Sequence, residues 1–204
     1  MGIISNGTTI LDNGAFSASL GSLVLIKSQT ASSSSSIEFK HGTSGVVFDN
    51  TYKIYKFEFI SLNVSTDNSS FTFQASTDTG SSYGVAATGT YFRGQMDESG
   101  SGNQLTYITA DDVAQSTGFI PISEDCGNDS DQCVSGSLLI YDPSNTTFVK
   151  HYMNHMSGAQ FNNFSFNEYM AGYFNTTSAI DAIKFEFGAG NFDGTIKLYG
   201  IKDS

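Results

Sequence analysis

YKIYKFEFISLNV, residues 52–64, is the stretch of the chain with the clearest pattern. Large apolar side chains occupy every second position and charged ones lie between them, Tyr55, Phe57 and Phe59 alternating with Lys56 and Glu58. This period of two predicts a β-strand with one buried face. Tyr52 and Ile54 have the opposite phase, which predicts a β-bulge near Ile54-Tyr55.

The segments around this strand carry the same signal. Phe71 and Phe73 follow a turn at Asp67-Asn68 and predict its hairpin partner. Residues 183–200 repeat the alternation twice, on either side of a Gly-rich loop at 188–194. About nine to eleven such strands, with turns roughly every 8–15 residues, indicate an all-β chain.

We therefore expect one domain over residues 21–204, an antiparallel two-sheet sandwich that is jelly-roll-like and follows an extended N-terminal arm. An up-and-down barrel is the alternative, because strand periodicity is the same in both architectures. The Ser run at 32–36 predicts an edge strand, with a flexible loop as its alternative. Residues 109–115 predict a single helical turn capped by Thr109, with Asp111 and Asp112 in its first turn.

A strong negative charge restricts the partners of the chain. Its 204 residues include 9 Lys and Arg against 20 Asp and Glu, a formal net charge of −11. Such a surface repels phosphate backbones, so we expect no nucleic-acid partner. No run of about 18 apolar residues occurs, so we expect no membrane insertion.

Residues 1–20 differ in composition from the rest of the chain. They are small and polar apart from two apolar pairs, Ile3-Ile4 and Ile10-Leu11. A segment of this kind buries little surface by itself, so it is either a disordered terminus or an assembly arm that docks these pairs on a neighbouring subunit. It lacks the basic and apolar regions of a signal peptide, so we expect synthesis in a cytoplasm.

Catalytic motifs are missing from the sequence. No GxSxG elbow occurs, and the three histidines lie in no hydrolase motif. His151 and His155 stand four residues apart, which on a strand separates them by about 13 Å, too far to share one metal ion. We therefore expect that the protein is not an enzyme.

An acidic loop at 124–131 suits a hard cation. Asp125, Asp129 and Asp131 supply carboxylate oxygens, the ligands that Ca²⁺ prefers, although the loop does not match the EF-hand pattern. The alternatives are a calcium site and a solvated loop with no cofactor. Cys126 and Cys133 flank the loop, and a disulfide between them would stabilise the fold by about 2–3 kcal/mol. Two free thiols are the other possibility.

Exposed aromatic side chains are candidates for stacking on sugars. Tyr152, Tyr169, Tyr173 and Tyr199 lie in segments that alternate polar and apolar residues. Packing in the core is the alternative interpretation for most of them.

Four stretches of the chain resemble virion structural proteins of marine tailed bacteriophages, of the capsid-decoration and fibre types. They are MGIISNGTTILDNG at 1–14, GTSGVVFDNTYKIYKFEF at 42–59, TTFVKHY at 146–152 and AGYFNTTSAIDAIKFEFGAGNFDGTIKLYGI at 171–201. The ending GNFDGTIKLYGI is the most specific of these, and the resemblance covers nearly the whole chain.

The resemblance implies a surface module on the capsid or tail of a virion, docked by its N-terminal arm and able to contact the host. Its implied partners are other virion proteins, further copies of the chain in a homo-oligomer such as a trimer, and a glycan on the host surface. It supplies no catalytic residues. The alternative function is a carbohydrate-binding module whose loop at 124–131 is stabilised by calcium.

Overall fold

The computed structural model of the protein describes residues 3–5, 8–12, 15–16 and 22–202, the first three segments as backbone only. Within these residues the chain forms antiparallel strands and no helix. It follows that this part of the chain has no helix that could cross a membrane. The strands are β1 (Ile3–Ser5), β2 (Thr8–Asp12), β3 (Ala15–Phe16), β4 (Leu23–Ser34), β5 (Ile37–Lys40), β6 (Ile54–Val64), β7 (Ser69–Ser76), β8 (Ala87–Asp97), β9 (Asn103–Tyr107), β10 (Val113–Ser116), β11 (Ile120–Cys126), β12 (Val134–Tyr141), β13 (Lys150–Ala159), β14 (Phe164–Phe174), β15 (Ala182–Phe187) and β16 (Phe192–Ile201).

Eight of these strands form a jelly roll. Four of them lie side by side in the order β4-β16-β6-β12, and the other four form the facing sheet in the order β5-β15-β7-β11. Along these eight strands the chain changes sheet between β4 and β5, β5 and β6, β6 and β7, β11 and β12, β12 and β15, and β15 and β16, as the two Greek keys of a jelly roll require. The predicted two-sheet sandwich is confirmed, and the barrel alternative is wrong because sequence neighbours in these pairs belong to different sheets.

Two insertions enlarge one sheet of the jelly roll. β13 and β14 come between β12 and β15, while β8, β9 and β10 come between β7 and β11. All five join the first sheet beyond β12, which gives the order β10-β8-β14-β13-β12-β6-β16-β4 with β9 also paired to β8. The inserted strands therefore make up about half of the large sheet.

The core between the sheets is built from phenylalanine rings. Phe185 on β15 lies at its centre, with its ring centroid 4.9–6.4 Å from five other rings. All six side chains are at most 2% exposed. The five neighbours come from both sheets and are Phe39, Phe57, Phe59, Phe71 and Phe73. The alternation predicted for residues 55–59 therefore places its aromatic members in this core.

The bulge in β6 lies further along the strand than predicted. Ile54 and Tyr55 pair in regular register with β12, whereas the register shifts between Phe59 and Leu62. Ser61 takes a left-handed conformation with φ 49° there, and its N–H donates to Ser135 Oγ at 2.9 Å. The extra residue lets both Phe59 and Leu62 face the core.

The helical turn predicted at residues 109–115 is wrong. Val113–Ser116 form β10, and the preceding loop is tied to β8 because Asp112 accepts a hydrogen bond from the Tyr91 N–H at 2.9 Å. A carboxylate used in this way does not cap a helix. The Ser run, by contrast, begins as a strand, since β4 continues to Ser34 and lies at the edge of the large sheet.

Part of the N-terminal segment forms a small antiparallel sheet of its own. β1 pairs with β2 so that Ile3 lies opposite Leu11 and Ile4 opposite Thr9, and β2 pairs with β3. The side chains of Ile3, Ile4, Ile10 and Leu11 lie outside the described part of the chain. Their role in an assembly arm, and the boundary at residue 20, stay predictions.

Candidate functional site

The outer face of strands β12, β13, β14 and β8 carries no Asp, Glu, Lys or Arg. It consists of the even-numbered residues 88–96 and the odd-numbered residues 135–141, 151–159 and 165–173. Side chains alternate between the two faces of a strand, and the residues between these positions are the ones that turn inward. We call this surface the uncharged face. It stands out in a chain with a net charge of −11.

The outer face of the next two strands of the sheet, β6 and β16, is charged. Lys56 and Glu58 on β6 form an ion pair at 2.9 Å, and Lys197 on β16 lies opposite Glu58 in the register of the two strands. The change from charged to uncharged therefore occurs at the boundary between β6 and β12. This boundary lies one strand before the point where the inserted strands begin to extend the sheet.

Three stacked rings form a ridge across the uncharged face. Tyr169 is directly opposite Phe92 on one side and His155 on the other in the strand register. The ring centroids are 4.9 Å apart for Phe92 and Tyr169 and 4.5 Å apart for Tyr169 and His155, with interplanar angles of 12° and 5°. At these spacings the facing ring surfaces cover each other, so no ligand fits between them, and the ridge is a rigid apolar support.

A groove of about 560 Å³ runs beside this ridge. Gly94 lies in it, and a methyl group added there would meet only Leu105 Cδ1, at 4.0 Å. Apolar Met96 and Leu105 and polar Asn103 and Asn167 also line the groove. The missing side chain at Gly94 thus keeps a space open among groups that offer both apolar contact and hydrogen bonds.

Histidine 155 helps to position one wall of the groove. Its Nε2–H donates to Asn167 Oδ1, since an amide oxygen accepts only. The ring is held at the same time by its stack on Tyr169. Asn167 therefore has a fixed orientation in which its amide nitrogen remains a donor.

Behind the uncharged face lies a carboxylate cluster around Arg93, formed by the buried Glu168 and the half-buried Glu124, Asp125 and Asp111. Arg93 is the single arginine of the chain. One of its guanidinium nitrogens lies 2.8 Å from Asp125 Oδ2 and 3.2 Å from Glu168 Oε1. Glu168 is fully buried and also accepts a hydrogen bond from Ser123 Oγ at 2.7 Å.

The cluster fixes the strands that carry the ridge. Arg93 directly follows the ridge residue Phe92, and Glu168 directly precedes the ridge residue Tyr169. Because neighbouring residues of a strand point to opposite sides of the sheet, Arg93 and Glu168 point inward where the ridge residues point outward. Ser123 connects the cluster to β11 in the other sheet. The polar contacts inside thus hold β8 and β14 in the register that stacks the rings outside.

Four carboxylates against one guanidinium leave the cluster short of positive charge. Burial raises the pKa of Glu168 to about 7, and burial with the neighbouring Asp111, Glu168 and Asp125 carboxylates raises the pKa of Glu124 to about 7. Burial also raises the pKa of Asp111. Because Glu168 has no exposed surface, the protonation of its carboxyl group affects the stability of the fold.

The structure does not gather the three carboxylates of the predicted calcium loop. Asp125 turns inward to Arg93 and accepts from Gln160 Nε2 at 3.1 Å, while Asp129 and Asp131 lie in the loop before β12. Across the described residues, no three His, Cys, Asp or Glu side chains form a group that could hold a metal ion. Asp125, a carboxylate on which the calcium site would depend, is instead paired with Arg93.

Of the two alternatives for Cys126 and Cys133, a disulfide and free thiols, the structure has the free thiols. Cys126 is buried at the end of β11, within 3.5 Å of Ser123 Oγ, and burial raises the pKa of its thiol. The loop between the two cysteines is instead connected to the fold through Gln132, whose amide donates to the Gln160 carbonyl at 3.0 Å.

Two of the four predicted sugar-stacking tyrosines lie on the uncharged face. Tyr169 belongs to the ridge, and Tyr173 lies beside His151 with the ring centroids 6.2 Å apart. Tyr199 is on the charged part of the sheet, opposite Lys56. Tyr152 is fully buried against Phe73, so its prediction as an exposed platform is wrong.

Sequence reasoning missed Arg93, Phe92 and Leu105. Arg93 carries a signal that could have identified it, because a lone arginine in so acidic a chain is expected to have carboxylate partners. Phe92 and Leu105 carry no such signal. Their importance depends on which strands are neighbours in the sheet.

No family model matches the chain, and no curated protein matches it. A solved structure of unknown function from Bacteroides ovatus is similar over 51% of this chain and 45% of that one, with 10% sequence identity and a TM-score of 0.28. The match spans less than half of that protein's length, and a likeness this weak carries no argument about fold or function.

Proposed function

We propose that this protein is a non-catalytic surface module of a virion, of the decoration or fibre type, that binds a neutral glycan of the host through the uncharged face. The observation that carries the binding part is the groove at Gly94, set in a face without formal charge. Residues 1–20 would attach the module to other virion proteins.

The chemistry of the groove favours a neutral sugar. A hexose ring has an apolar C–H face and a rim of hydroxyl groups, which match the Met96 and Leu105 side chains and the amides of Asn103 and Asn167, respectively. Anionic sugars are disfavoured because the chain carries a net charge of −11. A groove already formed in rigid strands also requires little ordering upon binding.

The proposed role as a virion protein is supported by the sequence, whereas the binding role is supported by the groove. The virion role rests on the resemblance of the four sequence stretches, and it is compatible with the jelly roll, an architecture found in viral capsid proteins and in lectins. The jelly roll occurs in proteins with many different functions, so the fold adds only a weak argument for a virion protein.

Particle assembly distinguishes this proposal from a free carbohydrate-binding module, which would use the same groove. Deleting residues 1–20 is expected to abolish incorporation into particles and to leave the melting temperature of the domain nearly unchanged, because the sandwich starts at β4. Incorporation is measured by quantifying the protein in purified particles from a complemented phage. Full occupancy by the truncated chain would contradict the arm's role and favour the free module.

Filling the groove tests the binding part. Gly94→Phe is expected to weaken binding to neutral gluco-, manno- or galacto-oligosaccharides by at least about tenfold, a loss of 1.4 kcal/mol, because the ring would occupy the space of the ligand. Gly94 has no left-handed φ, and its added side chain enters open space, so the fold should be retained. Binding is measured by calorimetry after a glycan array has identified the sugar.

Gly188→Phe is the matched control for this substitution. Gly188 is exposed in the loop between β15 and β16, where a Cβ would approach only the Ser70 carbonyl, at 3.8 Å. This variant should bind like the wild type. Equal binding by Gly94→Phe, or silence of the wild-type protein on every neutral glycan, would overturn the proposed binding role.

A further inference from the structure

We propose that two copies of this chain pair edge to edge along β9, so that their large sheets continue into one another across a twofold axis. This inference concerns assembly and does not depend on a glycan ligand. It rests on the free hydrogen-bonding edge of β9, on the side chains that this edge exposes and on its lack of charge.

The hydrogen-bond pattern shows which backbone groups of β9 are free. The Ile108 N–H donates to the Tyr91 carbonyl at 3.1 Å, and the Asp97 N–H donates to the Gly102 carbonyl at 3.1 Å. In an antiparallel pair, hydrogen-bonded and non-hydrogen-bonded positions alternate. It follows that Gln104 and Thr106 bond to β8, whereas the backbone groups of residues 103, 105 and 107 point away from it.

Within the described residues, no further strand pairs with the outer side of β9. The same alternate residues carry the exposed side chains, since Leu105 is 80% exposed and Tyr107 is 55% exposed. Removing such apolar side chains from water favours contact with another apolar surface. The edge thus offers free backbone groups and apolar surface at the same positions.

The other edges of the two sandwich sheets are protected in ways that β9 is not. Lys27 lies in β4, Glu38 and Lys40 lie in β5, and Pro121 lies in β11. Charges and proline on an edge strand oppose pairing with another chain. β10 is also uncharged, but Gln115 breaks it with a φ of 53°. Asn103–Tyr107, NQLTY, has neither a charge nor a proline nor a positive φ.

A twofold axis at Leu105 makes this edge complementary to itself. Antiparallel pairing places Leu105 of one copy opposite Leu105 of the other, and Asn103 opposite Tyr107. All three residues have outward backbone groups, which gives about six hydrogen bonds across the junction. No pair brings like charges together. Because this contact is isologous, it closes as a dimer, in contrast to the trimer predicted from the sequence resemblance.

The ends of the junction predict how salt affects it. Antiparallel pairing brings the Asp97-Glu98 turn of one copy toward Asp112 of the other, and these carboxylates repel one another. Salt screens charges near the surface over about 8–10 Å at physiological ionic strength. The dimer should therefore tighten as salt increases.

Sedimentation equilibrium of the full chain tests the dimer. The wild-type protein is expected to be a dimer, and Leu105→Lys is expected to raise the dissociation constant at least about a hundredfold, because two ammonium groups would meet at the axis. Leu25→Lys, at a 53% exposed residue on the opposite edge, is the matched control and should remain dimeric. A monomeric wild type, or equal loss of dimer in both variants, would overturn the inference.

Cross-linking provides a second test that does not depend on the stability of the lysine variant. Leu105→Cys, in a Cys133→Ser background, should form a disulfide-linked dimer upon mild oxidation, because Cα atoms of a hydrogen-bonded pair lie about 5.5 Å apart. Thr106→Cys should not, since its Cα atoms would be about 8 Å apart, beyond the reach of a disulfide. Equal cross-linking of the two variants, or none in Leu105→Cys, would contradict the register.

Discussion

Replacing Phe185 with alanine is expected to lower the free energy of unfolding by about 3–5 kcal/mol. The ring lies between the two sheets, with five phenylalanine rings within 6.4 Å of its centroid, and the side chain is fully buried. Truncation loses the transfer free energy of the ring and leaves a cavity whose walls belong to strands of both sheets, so the walls have little freedom to collapse. Chemical denaturation measures the loss.

Phe148→Ala is the control for this change. Phe148 lies in the loop between β12 and β13 and is 68% exposed, so its truncation should alter stability by no more than about 0.5 kcal/mol. If Phe185→Ala cost as little as Phe148→Ala, the phenylalanine cluster would not be the centre of the core.

Replacing Arg93 with methionine is expected to destabilise the protein by about 3–5 kcal/mol at about pH 8.5, because it leaves the buried Glu168 carboxylate without a cation. The loss should be much smaller at about pH 5. There Glu168 and Glu124 are protonated, since burial raises the pKa of each to about 7, and a neutral acid needs no partner. Denaturant unfolding at both pH values measures the difference.

The same two groups set a pH dependence in the wild-type protein. Their folded pKa values lie above the unfolded value of 4.5, so the stability they contribute is fully present below pH 4.5 and is lost as the pH rises through about 7. The expected loss is of the order of 1–3 kcal/mol per carboxyl. Unfolding free energy that rises between about pH 5 and pH 8.5 would contradict this sign.

A double variant and a surface control complete the Arg93 test. Arg93→Met combined with Glu168→Gln should recover much of the lost stability at about pH 8.5, because the uncompensated charge is gone. Lys184→Met removes the partly exposed ion pair of Lys184 with Glu186, at 2.8 Å, and should cost less than about 1 kcal/mol. If the double variant were no more stable than Arg93→Met, the cost would arise from lost packing.

The two-sheet architecture could be predicted from the sequence because its signal is local. Aromatic residues at every second position, as in residues 55–59 and 183–187, report a buried strand face without knowledge of the neighbouring strands. The same alternation does not report register. The bulge was predicted at Ile54-Tyr55, whereas the structure has it at Ser61, where the Ser135 hydroxyl on another strand accepts the freed N–H.

The uncharged face could not be predicted, because it is a property of strand order. Phe92, Tyr169 and His155 stack on one another although up to 77 residues separate them in the chain (169 − 92 = 77). The inserted strands β8, β13 and β14 bring them together, and nothing in their local sequence specifies that these strands are neighbours. The calcium loop was predicted from local composition alone, which says nothing about the arginine that binds Asp125.

The most direct test of the proposed function is an NMR titration of the isotope-labelled wild-type protein with the neutral oligosaccharide that the array identifies. The account predicts that the side-chain amide signals of Asn103 and Asn167 shift together with backbone signals of β8, β9 and β14, because these groups line the groove. Shifts confined to the strands of the other sheet, β5, β7, β11 and β15, would contradict it. So would the absence of shifts for every neutral sugar tested.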